Sequence, residues 1–190
     1  MQQNSFAVVA KPGDRVADLS TPRPIIDEER LAANIARTQA YMDRHGLNFR
    51  PHIKTHKIPA LATEQIAAGA KGINCQKISE AEVFAAAGFE DILITFNILG
   101  AQKLERLGAL NDRISGLKVV ADSAVTVDGL SSTFQSRKPL TVLVECDTGG
   151  GRCGVQTPEE AKNLAKRIHD APGLSFGGLL NYPKLSLIHI

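Results

Sequence analysis

The sequence predicts an α/β protein and, within that class, an incomplete (β/α)8 TIM-like barrel. From residue 21 onward, short runs of β-branched residues alternate with amphipathic helical stretches, the pattern of parallel βα units. Polar and ionisable side chains then fall at the C-terminal ends of successive strands, where a barrel gathers its functional residues. With 43% hydrophobic residues in 190, the chain has enough apolar material for one core, which excludes a disordered or disulfide-scaffold protein. A doubly wound open sheet is the other architecture this pattern allows.

Residues 1–20 are weakly patterned and read as an N-terminal arm, residues 21–183 as the partial barrel. Ile25-Ile26 is expected as a first strand. Asp27 then caps a helix that has Glu28 and Glu29 in its first turn, Leu31, Ile35, Thr38 and Met42 on one face, and His45-Gly46 as its stop. A strand is expected over 47–56 and a helix over 58–69. A strand over 72–76 precedes a helix capped by Ser79 and closed by Gly88. A strand over 91–97 leads to a helix striped by Leu104, Leu107 and Leu110. Residues 117–122 form the next strand, with a helix around 125–134. The strongest strand covers 140–147, and Thr157-Pro158-Glu159-Glu160 opens its helix with a cap, a first-turn proline and a capping-box glutamate. A last strand begins at 174. The total is about seven strands and six helices, with no composition shift marking a second domain.

Composition narrows the function. Lys and Arg number 22 against 20 Asp and Glu, and they are spread along the chain, so no basic stripe points to nucleic acid. No apolar run approaches the roughly 18 to 20 residues of a membrane helix, and residues 1–10 lack a secretory pattern. Cys75, Cys146 and Cys153 are odd in number and without CxxC spacing, which suits a reducing compartment and argues against zinc. A soluble, cytoplasmic protein is expected.

The segment Asn48-Phe49-Arg50-Pro51-His52-Ile53-Lys54-Thr55-His56-Lys57 is the most informative. On a strand, Phe49, Pro51 and Ile53 face one side and Arg50, His52, Lys54 and His56 the other. Four ionisable residues on an inward face cost stability, so the pattern points to chemistry. A lysine among cations near a barrel mouth is favoured as the neutral amine and can serve as a nucleophile. The competing reading is a solvated edge strand with Pro51 marking the edge. A metal pair of His52 and His56 is disfavoured, because on a strand they would stand more than roughly 12 Å apart.

In the segment from Val142 to Val155, Gly149, Gly151 and Gly154 satisfy GxGxxG after a strand. The helix signals begin only at Thr157, so these glycines do not open the helix that would hold a dinucleotide's pyrophosphate. The loop instead presents Arg152 as a permanently charged donor. Polar residues in Asn74-Cys75-Gln76, Thr95-Phe96-Asn97 and Asn181-Tyr182 occupy further strand ends.

Four blocks of this sequence resemble a known family: Arg50-Pro51-His52-Ile53-Lys54-Thr55-His56-Lys57, Cys75-Gln76-Lys77-Ile78-Ser79-Glu80-Ala81, Ala86-Ala87-Gly88-Phe89-Glu90-Asp91-Ile92 and Gly151-Arg152-Cys153-Gly154-Val155. They are similar to the low-specificity D-threonine aldolases and their relatives, D-serine dehydratases and the 3-hydroxy-D-aspartate aldolases and dehydratases. These are alanine-racemase-like, fold-type III pyridoxal phosphate enzymes. The resemblance implies that Lys54 holds pyridoxal 5'-phosphate as a Schiff base, that Arg152 reaches the phenolic-oxygen side of the cofactor and that Tyr182 stands near the lysine. It places His52 with Lys54 as catalytic, and Gln76, Asn97 and Arg50 among the cofactor-binding residues.

The implied reaction is cleavage of a D-3-hydroxy amino acid to glycine and an aldehyde by a homodimer. Dehydration of D-serine or 3-hydroxyaspartate, or a non-catalytic pyridoxal phosphate-binding barrel, are the alternatives. No metal ligand is expected within this chain; a divalent cation, Mn or Mg, is expected only in the full-length protein. The family's histidine after the strand-end tyrosine is Pro183 here, and its glycine-rich phosphate loop and C-terminal β-domain are expected beyond residue 190. Leu185-Ser186-Leu187-Ile188-His189-Ile190 resembles the translation of a common transposase adapter, so residues 184–190 are expected to be a non-native tail. A chain ending at this strand is expected to be poorly soluble or oligomeric.

Overall fold

A computed structural model describes residues 10–183. Among them are five strands, β1 (Ile73–Cys75), β2 (Asp91–Ile94), β3 (Gly116–Ala121), β4 (Leu140–Cys146) and β5 (Leu174–Asn181). Six α-helices accompany them: α1 (Glu28–Arg44), α2 (Pro59–Ala67), α3 (Ile78–Ala86), α4 (Ala101–Arg113), α5 (Ala124–Phe134) and α6 (Pro158–Asp170). All the strand pairings are parallel and the spatial order is β1-β2-β3-β4-β5, the order of the chain. A doubly wound sheet reverses direction at a switch point; this one never does. Helices α3, α4, α5 and α6 pack each on the next. This is the wall of a (β/α) barrel, as the sequence predicts.

The two faces of the sheet differ in chemistry. Ile73, Ile92, Ile94, Val119, Val142 and Val144 are fully buried and share one apolar cluster with Phe84, Leu107, Leu130, Phe134 and Ile168 of the helices. By the two-residue period, Asn74, Lys118 and Glu145 lie on the opposite, inner face. Caps set the helix starts. Asp27 accepts the Arg30 N–H at 2.9 Å, Ser123 caps α5, and Thr157 and Glu160 form the reciprocal capping box at α6.

Three sequence expectations change. Ile25 and Ile26 form no strand; both are exposed, with no neighbouring strand to pair with among the described residues. Residues 47–56 form no regular strand either, only an isolated bridge between His52 and Asn74. Pro51 has no N–H to give a ladder, and the chain turns after Ile53. Backbone bonds from Ile53 to Asn74 (2.9 Å) and from Asn74 to Pro51 (2.8 Å) still hold the segment alongside β1. Ser79 does not cap α3. The cap position is Lys77, without a side-chain bond, and Glu80 reaches back instead to accept the Gln76 N–H at 2.8 Å. The expected tail, 184–190, lies outside the described residues, and the expected arm is described from residue 10, as an exposed stretch with a 3-10 turn at Val16–Asp18.

Candidate active site

Lys54, Arg152 and Tyr182 come from three separate places in the chain and meet at the C-terminal end of the sheet. Arg50, His52 and Lys54 share a side, alternating with buried Pro51 and Ile53. The expected period ends at Lys54, because a turn closed by the Lys57 N–H on the Ile53 carbonyl (2.8 Å) takes His56 away. The exposed Lys54 places its Nζ 5.9 Å from the centroid of the Tyr182 ring, just past β5. Arg152, from the glycine loop after β4, places its guanidinium carbon 5.0 Å from the same centroid. Both distances are within cation–π reach. A cavity of about 410 Å³ opens beside them, lined by Glu145, Cys146, Asp147, Arg152, Cys153 and Tyr182 among others.

His52 sits behind Lys54 with both ring nitrogens engaged. Its Nδ1 accepts the Lys54 backbone N–H at 3.2 Å, so Nε2 carries the proton. Nε2 lies 3.1 Å from the Thr95 hydroxyl, which donates onward to the Cys75 carbonyl at 3.3 Å. Burial, then the nearby Lys54 ammonium, lowers the His52 pKa, with Glu80 and Gln76 opposing in part. The geometry and the charge balance agree on a neutral imidazole that orients the lysine's backbone. Gln76 thus stands beside His52. Asn97 is set further along the rim, its Oδ1 accepting the Asp122 N–H at 3.2 Å, while Asp122 accepts the Gly154 N–H at 3.2 Å.

The glycine loop is folded around its own carboxylate. Asp147 accepts the N–H groups of Gly149, Gly150 and Gly151 at 2.9, 2.7 and 2.8 Å. Those amides hold the Asp147 carboxyl below its usual range, the Gly150 bond contributing most. A negative side chain already fills this nest, so it offers no seat to a pyrophosphate, and the dinucleotide reading has no structural basis here. Gly154 is required: at φ +108°, a Cβ would come within 2.4 Å of the Asp147 nitrogen.

Arg50 is not brought to this cluster. Its guanidinium reaches Asp91, the first residue of β2, at 2.8 Å, and therefore lies toward the opposite end of the sheet. Glu145 is the residue sequence reasoning missed. It is 2% exposed, lines the cavity, and its Oε2 has no hydrogen-bond partner. Burial, then the Asp122 charge, raises its pKa, against the pull of Arg152 and Cys153. A lone carboxylate in the run Val142-Leu143-Val144-Glu145-Cys146 was the signal.

These residues suit pyridoxal phosphate. A primary amine and a fixed cation stand near one aromatic ring, an unpartnered buried carboxyl oxygen lies at the cavity wall, and the volume accommodates a substituted pyridine ring. Among the described residues, no three His, Cys, Asp or Glu side chains cluster as a metal site.

Comparison with known proteins identifies the fold family. The family model described as "Alanine racemase, N-terminal domain" matches residues 26–186. A D-threonine aldolase from Arthrobacter sp. is 42% identical over 174 residues, covering 91% of this chain and 46% of the relative. A D-threo-3-hydroxyaspartate dehydratase from Delftia sp. is 36% identical over 172 residues, covering 89% of this chain and 45% of the relative. The crystal structure of D-threonine aldolase from Filomicrobium marinum superposes with a TM-score of 0.82 at 37% identity, covering 86% of this chain and 44% of that one. The chain thus spans under half the length of each of these relatives. With residues 26–186 matched by the family model, the chain belongs to the alanine racemase N-terminal domain family.

Proposed function

We propose that the whole protein is a pyridoxal phosphate-dependent lyase that cleaves D-threonine or a related D-3-hydroxy amino acid to glycine and an aldehyde. The observation that carries this is the convergence of Lys54 and Arg152 on Tyr182, together with the similarity to the Arthrobacter aldolase. Bound pyridoxal phosphate supplies an aldehyde that condenses with amines and a ring that accepts the electrons released at the substrate's α-carbon.

The chain's own residues supply the setting. Lys54 would contribute the amine that anchors the cofactor. His52, neutral and doubly hydrogen-bonded, holds the Lys54 backbone and has no free ring nitrogen with which to act as a base. Arg152 would offer the cofactor a permanent positive charge, and Tyr182 an aromatic wall within reach of both cations. Gln76 and Asn97 complete the rim. For the whole protein we include a divalent cation, Mn or Mg, a homodimer and a cytoplasmic location.

The test is loading with pyridoxal phosphate followed by borohydride reduction and peptide mapping. Reduction should fix the cofactor on Lys54, and the Lys54→Ala variant should lose both that adduct and the absorbance at about 420 nm of a protonated lysine–cofactor bond. An unchanged spectrum in Lys54→Ala overturns the assignment. Similarity to the Delftia dehydratase supports a second reading, water elimination from a 3-hydroxy amino acid. Product analysis separates them: glycine with an aldehyde for cleavage, a 2-oxo acid with ammonia for elimination.

A further inference from the structure

The turn that carries Lys54 is held in an unusual shape by a residue outside the cavity. Lys57 has φ +55°, and it is the one non-glycine residue in the left-handed region among those described. A side chain in that region costs conformational energy, so surrounding contacts must hold it there. Two contacts do so. The Lys57 N–H bonds the Ile53 carbonyl at 2.8 Å, closing the turn across Lys54. The Lys57 ammonium lies 3.1 Å from Oε1 of Glu80.

Glu80 is otherwise placed as a fixed point. Its side chain is 7% exposed, and its second oxygen accepts the Gln76 N–H at 2.8 Å. Burial alone would raise its pKa, but the Gln76 N–H and the Lys57 ammonium more than offset that and hold the carboxyl below the usual glutamate range. One charged carboxylate therefore joins the start of α3, the β1–α3 link and the Lys54 turn. Glu82, the other carboxylate nearby on α3, is taken by Arg106.

We propose that Glu80 is a positioning residue for Lys54: through Lys57 it locks the 53–57 turn so that the lysine amine points toward Tyr182. This rests on the reading of Lys54 as the cofactor anchor. It goes beyond that reading by assigning the lysine's orientation to a carboxylate outside the cavity lining.

The experiment measures the rate of adduct formation at each lysine when the protein meets pyridoxal phosphate, with borohydride quenching at timed intervals and peptide mapping. Exposed Lys162 is the internal reference. Glu80→Gln and Lys57→Met should each slow labelling of Lys54 by about tenfold relative to Lys162, a loss of the size small misplacements of a reacting group produce. The Glu80→Gln/Lys57→Met double variant should be no slower than either single variant, and Lys57→Arg should restore most of the rate.

A purely structural role would lower the melting temperature without changing the Lys54-to-Lys162 ratio, and that result overturns the proposal. So does an unchanged ratio in folded Glu80→Gln. If Glu80→Gln fails to fold, the half-exposed Lys57→Met variant decides alone. Labelling of Lys54 no faster than of Lys162 in the unaltered protein would instead refute the anchor reading itself.

Discussion

Each end of the sheet brings two cations near carboxylates, and the two ends use them in opposite ways. Toward the N-terminal ends of the strands, Arg50 and Lys118 both close on Asp91, at 2.8 and 2.5 Å, and Arg50 also donates to the Asp91 carbonyl at 3.2 Å. Toward the C-terminal ends, Lys54 and Arg152 both stand over the Tyr182 ring without an ion-pair partner among the described residues, and Glu145 keeps an oxygen unpaired. Burial would raise the Asp91 carboxyl, but Arg50 and Lys118 more than offset it; burial and Asp122 leave Glu145 raised. The closed triad is a structural plug. The open one has charge to spend on a ligand, and that contrast, not the mere presence of ionisable residues, marks the site.

Substitutions at the two ends should therefore fail differently. The largest effect is expected at Lys54, where alanine removes the cofactor adduct altogether while the melting temperature stays within a few degrees, since the side chain is exposed. Arg152→Ala should weaken retention of pyridoxal phosphate about tenfold or more, the worth of one charge-assisted contact, with Arg152→Lys intermediate. Equilibrium dialysis reads this directly, and unchanged retention would remove Arg152 from the site.

At the other end, Asp91→Ala should leave labelling of Lys54 intact but cost roughly 2 kcal/mol, a figure kept modest because all three groups are partly exposed. That corresponds to a fall of roughly 4 to 8 °C in melting temperature for a chain of this size. The pH sign follows from the lowered Asp91 pKa. Its contribution is complete above the ordinary aspartate range and disappears as the pH falls through the folded-state value. Thermal melts between pH 7 and pH 3 should show an acid loss that Asp91→Asn lacks.

Much of this was legible in the sequence because helix starts and strand ends are local. Asp27, Thr157 and Glu160 cap as their spacing predicts, and Gly88 closes α3 at φ +93°. Lys54 stood out by its cationic neighbours near a strand end, whereas Arg152 and Tyr182 were singled out mainly by the family resemblance. What was not legible depended on partners distant in the chain. The alternation around Arg50 gives its face but not its height along the barrel, which is fixed by Asp91, 41 residues away. Ile25 and Ile26 have strand-like chemistry but, among the described residues, no neighbour to make a strand real. Ser79 looked like a cap because the competing reach of Glu80 back to Gln76 is a tertiary outcome of the link's conformation.

Glu145 gives the finest test of the contrast, because its pH sign is opposite to that of Asp91. A carboxyl whose folded-state pKa is raised binds protons more tightly folded than unfolded, so it favours the fold when protonated and opposes it as the pH rises past the unfolded value. Glu145→Gln removes the charge while keeping the shape, and leaves an amide facing Asp122. It should therefore stabilise the protein at pH 7, and the gain should vanish as the pH falls into the ordinary glutamate range. The same substitution at Glu80, whose carboxyl is held low by Lys57 and Gln76, should destabilise at pH 7. A chain in which Glu145→Gln were also destabilising at neutral pH would have a paired Glu145, and the open triad at the C-terminal end would be closed after all.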